Sequence, residues 1–88
     1  MIVRIMADGQ YELSDEAYQR LTAIDEHLLQ SLESNEAAAF HRWFQEALSV
    51  VRAGEKLDES VLKPSDLVLP PADTTMQDAR RLLETDSL

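Results

Sequence analysis

The chain contains no cysteine, which excludes disulfide frameworks, thiolate catalysis and cysteine-ligated zinc or iron–sulfur sites, and leaves a reducing compartment open to it. Glycine is nearly absent as well. Gly9 and Gly54 are the only two, too few and too far apart to build a glycine-rich phosphate cradle. No apolar run approaches the ~18 to 20 residues that a membrane-spanning helix requires. The opening Met-Ile-Val-Arg-Ile-Met reaches Asp8 too soon for a signal peptide. Basic residues are scarce, eight against seventeen acidic ones, for a formal charge of -9. That balance repels phosphate backbones and anionic headgroups, so neither direct nucleic-acid binding nor direct membrane insertion is expected. The expectation is a soluble, cytoplasmic protein whose acidic surface either serves solubility or meets a basic protein surface.

What is present fits one small domain, since a chain of 88 residues buries somewhat over ~60% of its unfolded surface without needing staples. Ile2 to Met6 is apolar and β-branched, Asp8-Gly9 signals a turn, and Tyr11 to Leu13 resumes the alternation, which predicts a hairpin over 2–13. A two-residue loop would set Ile5 beside Glu12 and Arg4 beside Leu13. A three-residue loop, Ala7-Asp8-Gly9 with Gly9 left-handed, instead pairs Ile5 with Tyr11, Val3 with Leu13 and Arg4 with Glu12. The second arrangement is preferred because it collects Val3, Ile5, Tyr11 and Leu13 on one apolar face. It leaves Ile2, Arg4 and Met6 on a face incompletely covered by the chain itself.

Ser14 is a good N-cap, with Asp15 and Glu16 in the first turn after it. Ala17, Leu21, Ile24, Leu28 and Leu32 then form one stripe of a helix over 15–32. Ser34-Asn35 breaks and recaps the chain, and Phe40, Trp43, Phe44, Ala47 and Val51 mark a second helix over 36–53 with Gly54 as its C′ residue. So short a link implies an antiparallel helical hairpin. Residues 54–65 read as a surface connection tacked down by Leu57, Val61 and Leu62. Leu67 to Leu69, within a strand over 66–69, is stopped by Pro70-Pro71 and reads as a terminating or edge element. Thr75 and Asp78 resemble a capping box for a helix over 75–85 with Met76, Ala79, Leu82 and Leu83 facing inward. The fold class is α+β, in the order ββααβα, with a small three-stranded sheet on a helical hairpin and a C-terminal helix.

Chemistry is hard to find. His27 and His41 fall on different helices without the spacing of a zinc helix, so no metal or other cofactor is expected. Asp15-Glu16, Asp25-Glu26 and Asp58-Glu59 are sequence neighbours, which in a helix point about 100 degrees apart and cannot share a proton across a substrate. Ser60, Ser65 and Ser87 lack an activating base. Trp43 with Phe40 and Phe44 reads as core packing before it reads as a partner patch. Arg80-Arg81 complements the negative end of the last helix.

The strings MIVRIMADGQYEL at 1–13 and LKPSDLVLPPADTTMQDARRLL at 62–83 resemble the two ends of the PspA-associated protein family, PspAA. The resemblance spans essentially the whole chain, the middle helices matching in character alone. It implies a non-enzymatic adaptor of the phage-shock envelope-stress response, whose partner is a PspA-like coiled-coil protein and which reaches the membrane only through that partner. It carries over no catalytic residues. Candidate partner contacts are Ile2, Arg4, Met6, Glu12, Pro70 and Pro71. A homodimer closing over Ile2 and Met6 is a separate possibility. The alternative functions are an acidic regulator that sequesters a DNA-binding factor or mimics DNA, and a hydrolase dependent on His27 or His41.

Overall fold

A computed structural model of the chain describes residues 1–61 and 63–86, with residues 82–86 described by backbone alone. Leu62 and the side chains of Leu82 and Leu83, to which the sequence assigns packing roles, lie outside the described residues. The elements run β1 (Ile2–Ile5), β2 (Gly9–Glu12), α1 (Asp15–Glu33), α2 (Ala37–Arg52), β3 (Glu55–Lys56), β4 (Leu67–Leu69) and α3 (Met76–Asp86). The protein is α+β in the order ββααβα, with β3 as an additional two-residue strand inside the stretch read as connection. Four strands lie in the order β3-β2-β1-β4. β1 runs antiparallel to β2 and parallel to β4, and β2 runs antiparallel to β3.

The hairpin register differs from the one argued from sequence. Ile5 opposes Gly9, Arg4 opposes Gln10, Val3 opposes Tyr11 and Ile2 opposes Glu12, a slip of two residues. Such a slip preserves the faces, so Val3, Ile5, Tyr11 and Leu13 still share a buried side. The loop is Met6-Ala7-Asp8, closed by the Asp8 N–H donating to the Ile5 carbonyl at 3.0 Å. Ala7, with φ 68, takes the left-handed position expected of Gly9, whose φ is 150. The reason is tertiary: from this loop Asp8 reaches Tyr11, Arg52 and Lys56, two of which lie far away in sequence.

Helix boundaries follow local chemistry. The Ser14 side chain accepts from the Ala17 N–H at 3.2 Å. Asn35, left-handed at φ 57, ends α1 by donating to Leu32, while Glu36 donates to Ser31, the Schellman pattern. The expected recapping by Ser34-Asn35 is absent, because Glu36 occupies the N-cap of α2 and makes no side-chain cap bond. Thr75 and Asp78 exchange two hydrogen bonds of 3.2 Å at the start of α3. Arg80 complements the C-terminus of α1 rather than of its own helix, donating to the Leu32 carbonyl at 2.8 Å. Leu21, Ile24, Leu28 and Leu32 of α1 and Phe40, Phe44, Ala47 and Val51 of α2 face the sheet and each other, with Val3, Ile5 and Leu69 beneath them. Trp43 is half-buried against this core.

The second sheet face is less open than the sequence implied. Ile2 is only 8% exposed, because residues 63–66 fold over it. The Ile2 N–H donates to an Asp66 carboxylate oxygen at 2.7 Å, and the Asp66 N–H returns to the Ile2 carbonyl at 2.7 Å. Gln10 is buried beside it and donates to the Lys63 carbonyl at 2.7 Å and to the Ser65 hydroxyl at 2.8 Å. Of the two residues around which a homodimer face was expected, Ile2 is buried within the chain and Met6 is exposed.

Gly54 stands at C′ of α2 without a left-handed φ. Its requirement is space: a Cβ there would lie 2.6 Å from the Glu12 carbonyl oxygen and 2.5 Å from Leu13 Cδ2. The leucine can rotate, but the carbonyl belongs to β2 and cannot. Gly54→Ala should cost about 1 to 3 kcal/mol through overpacking, measured as a lowered urea midpoint with an unchanged slope.

Candidate functional site

Three places on the surface bring polar or exposed apolar groups together. The first is the hairpin tip. Asp8 accepts from the Tyr11 hydroxyl at 2.9 Å and from Arg52 Nε at 3.2 Å, with Lys56 Nζ at 3.4 Å. The Tyr11 hydrogen bond is the largest influence on this carboxyl and lowers its pKa, burial opposes it, and Arg52 and Lys56 lower it further. Tyr11 is buried; that burial first, then the bond to Asp8, raises the phenol's pKa. Lys56 also lies 5.8 Å from the Tyr11 ring centroid. Every partner here is satisfied by another, which makes the cluster a clamp joining the turn, α2 and β3. Sequence reading assigned Asp8 only to a turn, and no local signal could have revealed ligands 44 and 48 positions away.

The second place lies between α1 and α2. His27 stacks on Trp43 with ring centroids 4.1 Å apart and planes 6° from parallel. The Arg42 guanidinium lies 5.1 Å from the same indole centroid. The π system of Trp43 is thus engaged within the protein, and the stack braces the helical hairpin. His41, exposed on α2, does not join it. Among the described residues no group of three histidine, aspartate or glutamate side chains is placed to hold a metal ion.

The third place is the β4 side of the sheet, to which part of the set of candidate contacts maps. The six candidates do not form one patch. Arg4 lines a cleft with Gln10, Lys56 and Asp58. Met6, 47% exposed, lines a separate cleft with Pro71, Ala72 and Asp73. Glu12 is exposed opposite Glu55 on the β3 side, and Ile2 is buried. Pro70 lines an apolar groove with Leu28, Leu29, Leu67 and Leu69. Leu29 and Val68, neither of them a candidate from sequence, are 44% and 52% exposed. Val68 pairs with Arg4 across the parallel ladder. A Leu at the margin of a helix stripe and a Val inside a three-residue strand carry no sequence signal that sets them apart from core residues.

Compared with known proteins, residues 1–88 match the family model described as PspA-Associated protein, PspAA. No curated protein and no solved structure matches the chain.

The hairpin clamp has a pH signature. Asp8 has a lowered pKa in the fold, so its contribution is present above the ordinary value of 3.8 and is lost as pH falls through the lowered one. Tyr11 has a raised pKa, so its contribution is present below 10.0 and is lost as pH rises through the raised value. Asp8→Asn should flatten the acid limb of a stability profile, and Tyr11→Phe the alkaline limb. Urea midpoints measured from about pH 2 to about pH 11, a range extending past both ordinary values, check both.

Proposed function

The chain belongs to the PspA-associated protein family, and from that premise we propose that it is a non-enzymatic adaptor of the phage-shock envelope-stress response, binding a PspA-type coiled-coil protein directly and modulating it. Membership itself implies association with PspA in the phage-shock system, and this family is not known for enzymes. The observation that carries the reading is the match of the family model to residues 1–88. Two features support direct contact. The formal charge of -9 suits a basic partner surface, which charge complementarity would select and bring in quickly. The β4 side exposes apolar side chains, Met6 and Val68, and among the described residues the other exposed large hydrophobics are Met1 and Leu29. No helix among the described residues is long and apolar enough to cross a membrane, so in this reading the protein works from the cytoplasm and meets the membrane through its partner.

Mixing the purified chain with the PspA protein of the same genome should give a complex in sedimentation at about 0.05 M salt. It should weaken severalfold by about 0.3 M, as screening shortens the reach of surface charge. The absence of a complex at both salt concentrations would remove the reading.

A further inference from the structure

The two edges of the sheet are guarded differently. β3 presents Glu55 and Lys56, both exposed, and charge on so short a strand blocks unwanted pairing. β4 presents Leu67-Val68-Leu69. Which of its backbone groups are open follows from the central strand. Met1 and Leu13 exchange hydrogen bonds of 3.0 and 2.8 Å, so odd-numbered residues of β1 bond to β2 and even-numbered ones to β4. The Met6 N–H accordingly donates to the Leu69 carbonyl at 3.0 Å. Leu67 and Leu69 therefore turn their peptide groups toward β1, and Val68 turns its N–H and C=O to the open edge. Pro70 holds the next outward position, where a missing N–H breaks no bond to β1.

Beside that edge lies the groove between β4 and α1, about 180 Å³, lined by Leu28, Leu29, Leu32, Phe40, Leu67 and Leu69 among others. It falls below the ~300 to 1,000 Å³ typical of small-molecule pockets, so a side chain of a larger partner suits it better than a free ligand. An open strand edge next to an apolar groove under a helix is the arrangement that receives an extended peptide: backbone pairs with backbone, and alternate side chains enter the groove. A helix laid there would cover the Val68 N–H and C=O without pairing them, which costs about 1 to 3 kcal/mol per buried polar group. A helix is the poorer fit.

Charge selects among extended segments. Asp25 lines the groove, and Glu26 and Glu33 stand one helical turn from Leu29. Arg80, which reaches this end of α1, is directed onto the Leu32 carbonyl. Asp25 is solvent-exposed on the rim, yet the surrounding side chains raise its pKa by partial burial, with Glu26 adding to the effect, so a cation placed there would be well received. A second copy of the chain would set one acidic rim against another.

Resting on the adaptor reading above, we propose that the β4 edge and its groove take an extended, basic segment of the partner, paired at Val68 as an added strand with an apolar side chain in the groove. The test titrates the PspA protein of the same genome into the full chain by calorimetry, with wild type, Val68→Pro, Leu29→Gln and Gln45→Ala, each checked for folding by circular dichroism. Val68→Pro removes an N–H that turns away from β1, so it should fold and bind at least about tenfold more weakly, a hot-spot loss. Leu29→Gln should do the same from the groove side, and Gln45→Ala, on the exposed side of α2, should bind within about twofold of wild type, as a position outside the contact does. In the wild type, the Val68 amide should exchange rapidly when free and become protected in the complex, a readout that holds even if Val68→Pro fails to fold.

Wild-type binding with unchanged affinity in both edge variants and no protection at Val68 would overturn the edge assignment alone. Loss in Leu29→Gln without protection at Val68 would give the groove to a helix and overturn the strand. A dimer of the chain by itself, dissociated by Val68→Pro, would assign the edge to a second copy and overturn the basic segment. No wild-type binding at all would overturn the adaptor reading, and this one with it.

Discussion

β1 is paired on both sides, and the sheet depends on that. Its odd residues bond a strand that follows after one tight turn, while its even residues bond a strand that arrives some sixty positions later. Val3 and Ile5, wholly buried, sit at the junction of sheet and helices. The parallel partner cannot reach β1 by a hairpin; it needs a crossover, which the α1–α2 pair provides while covering the apolar face. At the start of β1, where β4 has not yet begun, the Ile2 N–H would be left over. The Asp66 carboxylate takes it at 2.7 Å.

Seen from β1, the segment 65–70 has a role for each residue. Ser65 accepts from the buried Gln10 amide, Asp66 latches Ile2, and Leu67 and Leu69 pack inward. Val68 looks outward, and Pro70 stands where a proline is harmless to the sheet. Structural need accounts for these residues individually. It does not account for an aliphatic Val68, 52% exposed, on the edge of a small acidic protein.

Much of the local chemistry whose partners lie within one turn was legible in the sequence, the recapping by Ser34-Asn35 excepted. The Ser14 cap, the Thr75 and Asp78 box and the stripes of α1 and α2 depend on spacing alone, and the structure makes the corresponding hydrogen bonds and contacts. The apolar face of the hairpin was legible too, since a two-residue slip leaves faces intact. The register was not, because it depends on Arg52 and Lys56 meeting Asp8. Gly54 was assigned a position correctly and a reason wrongly: its neighbour is the Glu12 carbonyl, which no periodicity in α2 could disclose. The same limit applied to the surface. Ile2 looked available because the segment that covers it contains few apolar residues, and it is held there by polar bonds instead.

The distribution of charge follows from these bonds. Several of the few cations are directed inward or sideways: Arg52 and Lys56 onto Asp8, Arg80 onto a helix carbonyl, Arg42 over Trp43. The acidic residues of α1 face outward in numbers that those cations do not balance. A protein that neutralised its own surface would place lysines one turn from Asp25 and Glu33, where pairs on a helix are worth about 0.2 to 0.5 kcal/mol each. This chain has Leu29 and Gln30 there instead. The formal net charge of -9 thus includes carboxylates at the margin of the apolar groove, Asp25 among its lining residues, and in the proposed reading that favours a cationic segment of different sequence over a second copy of the chain.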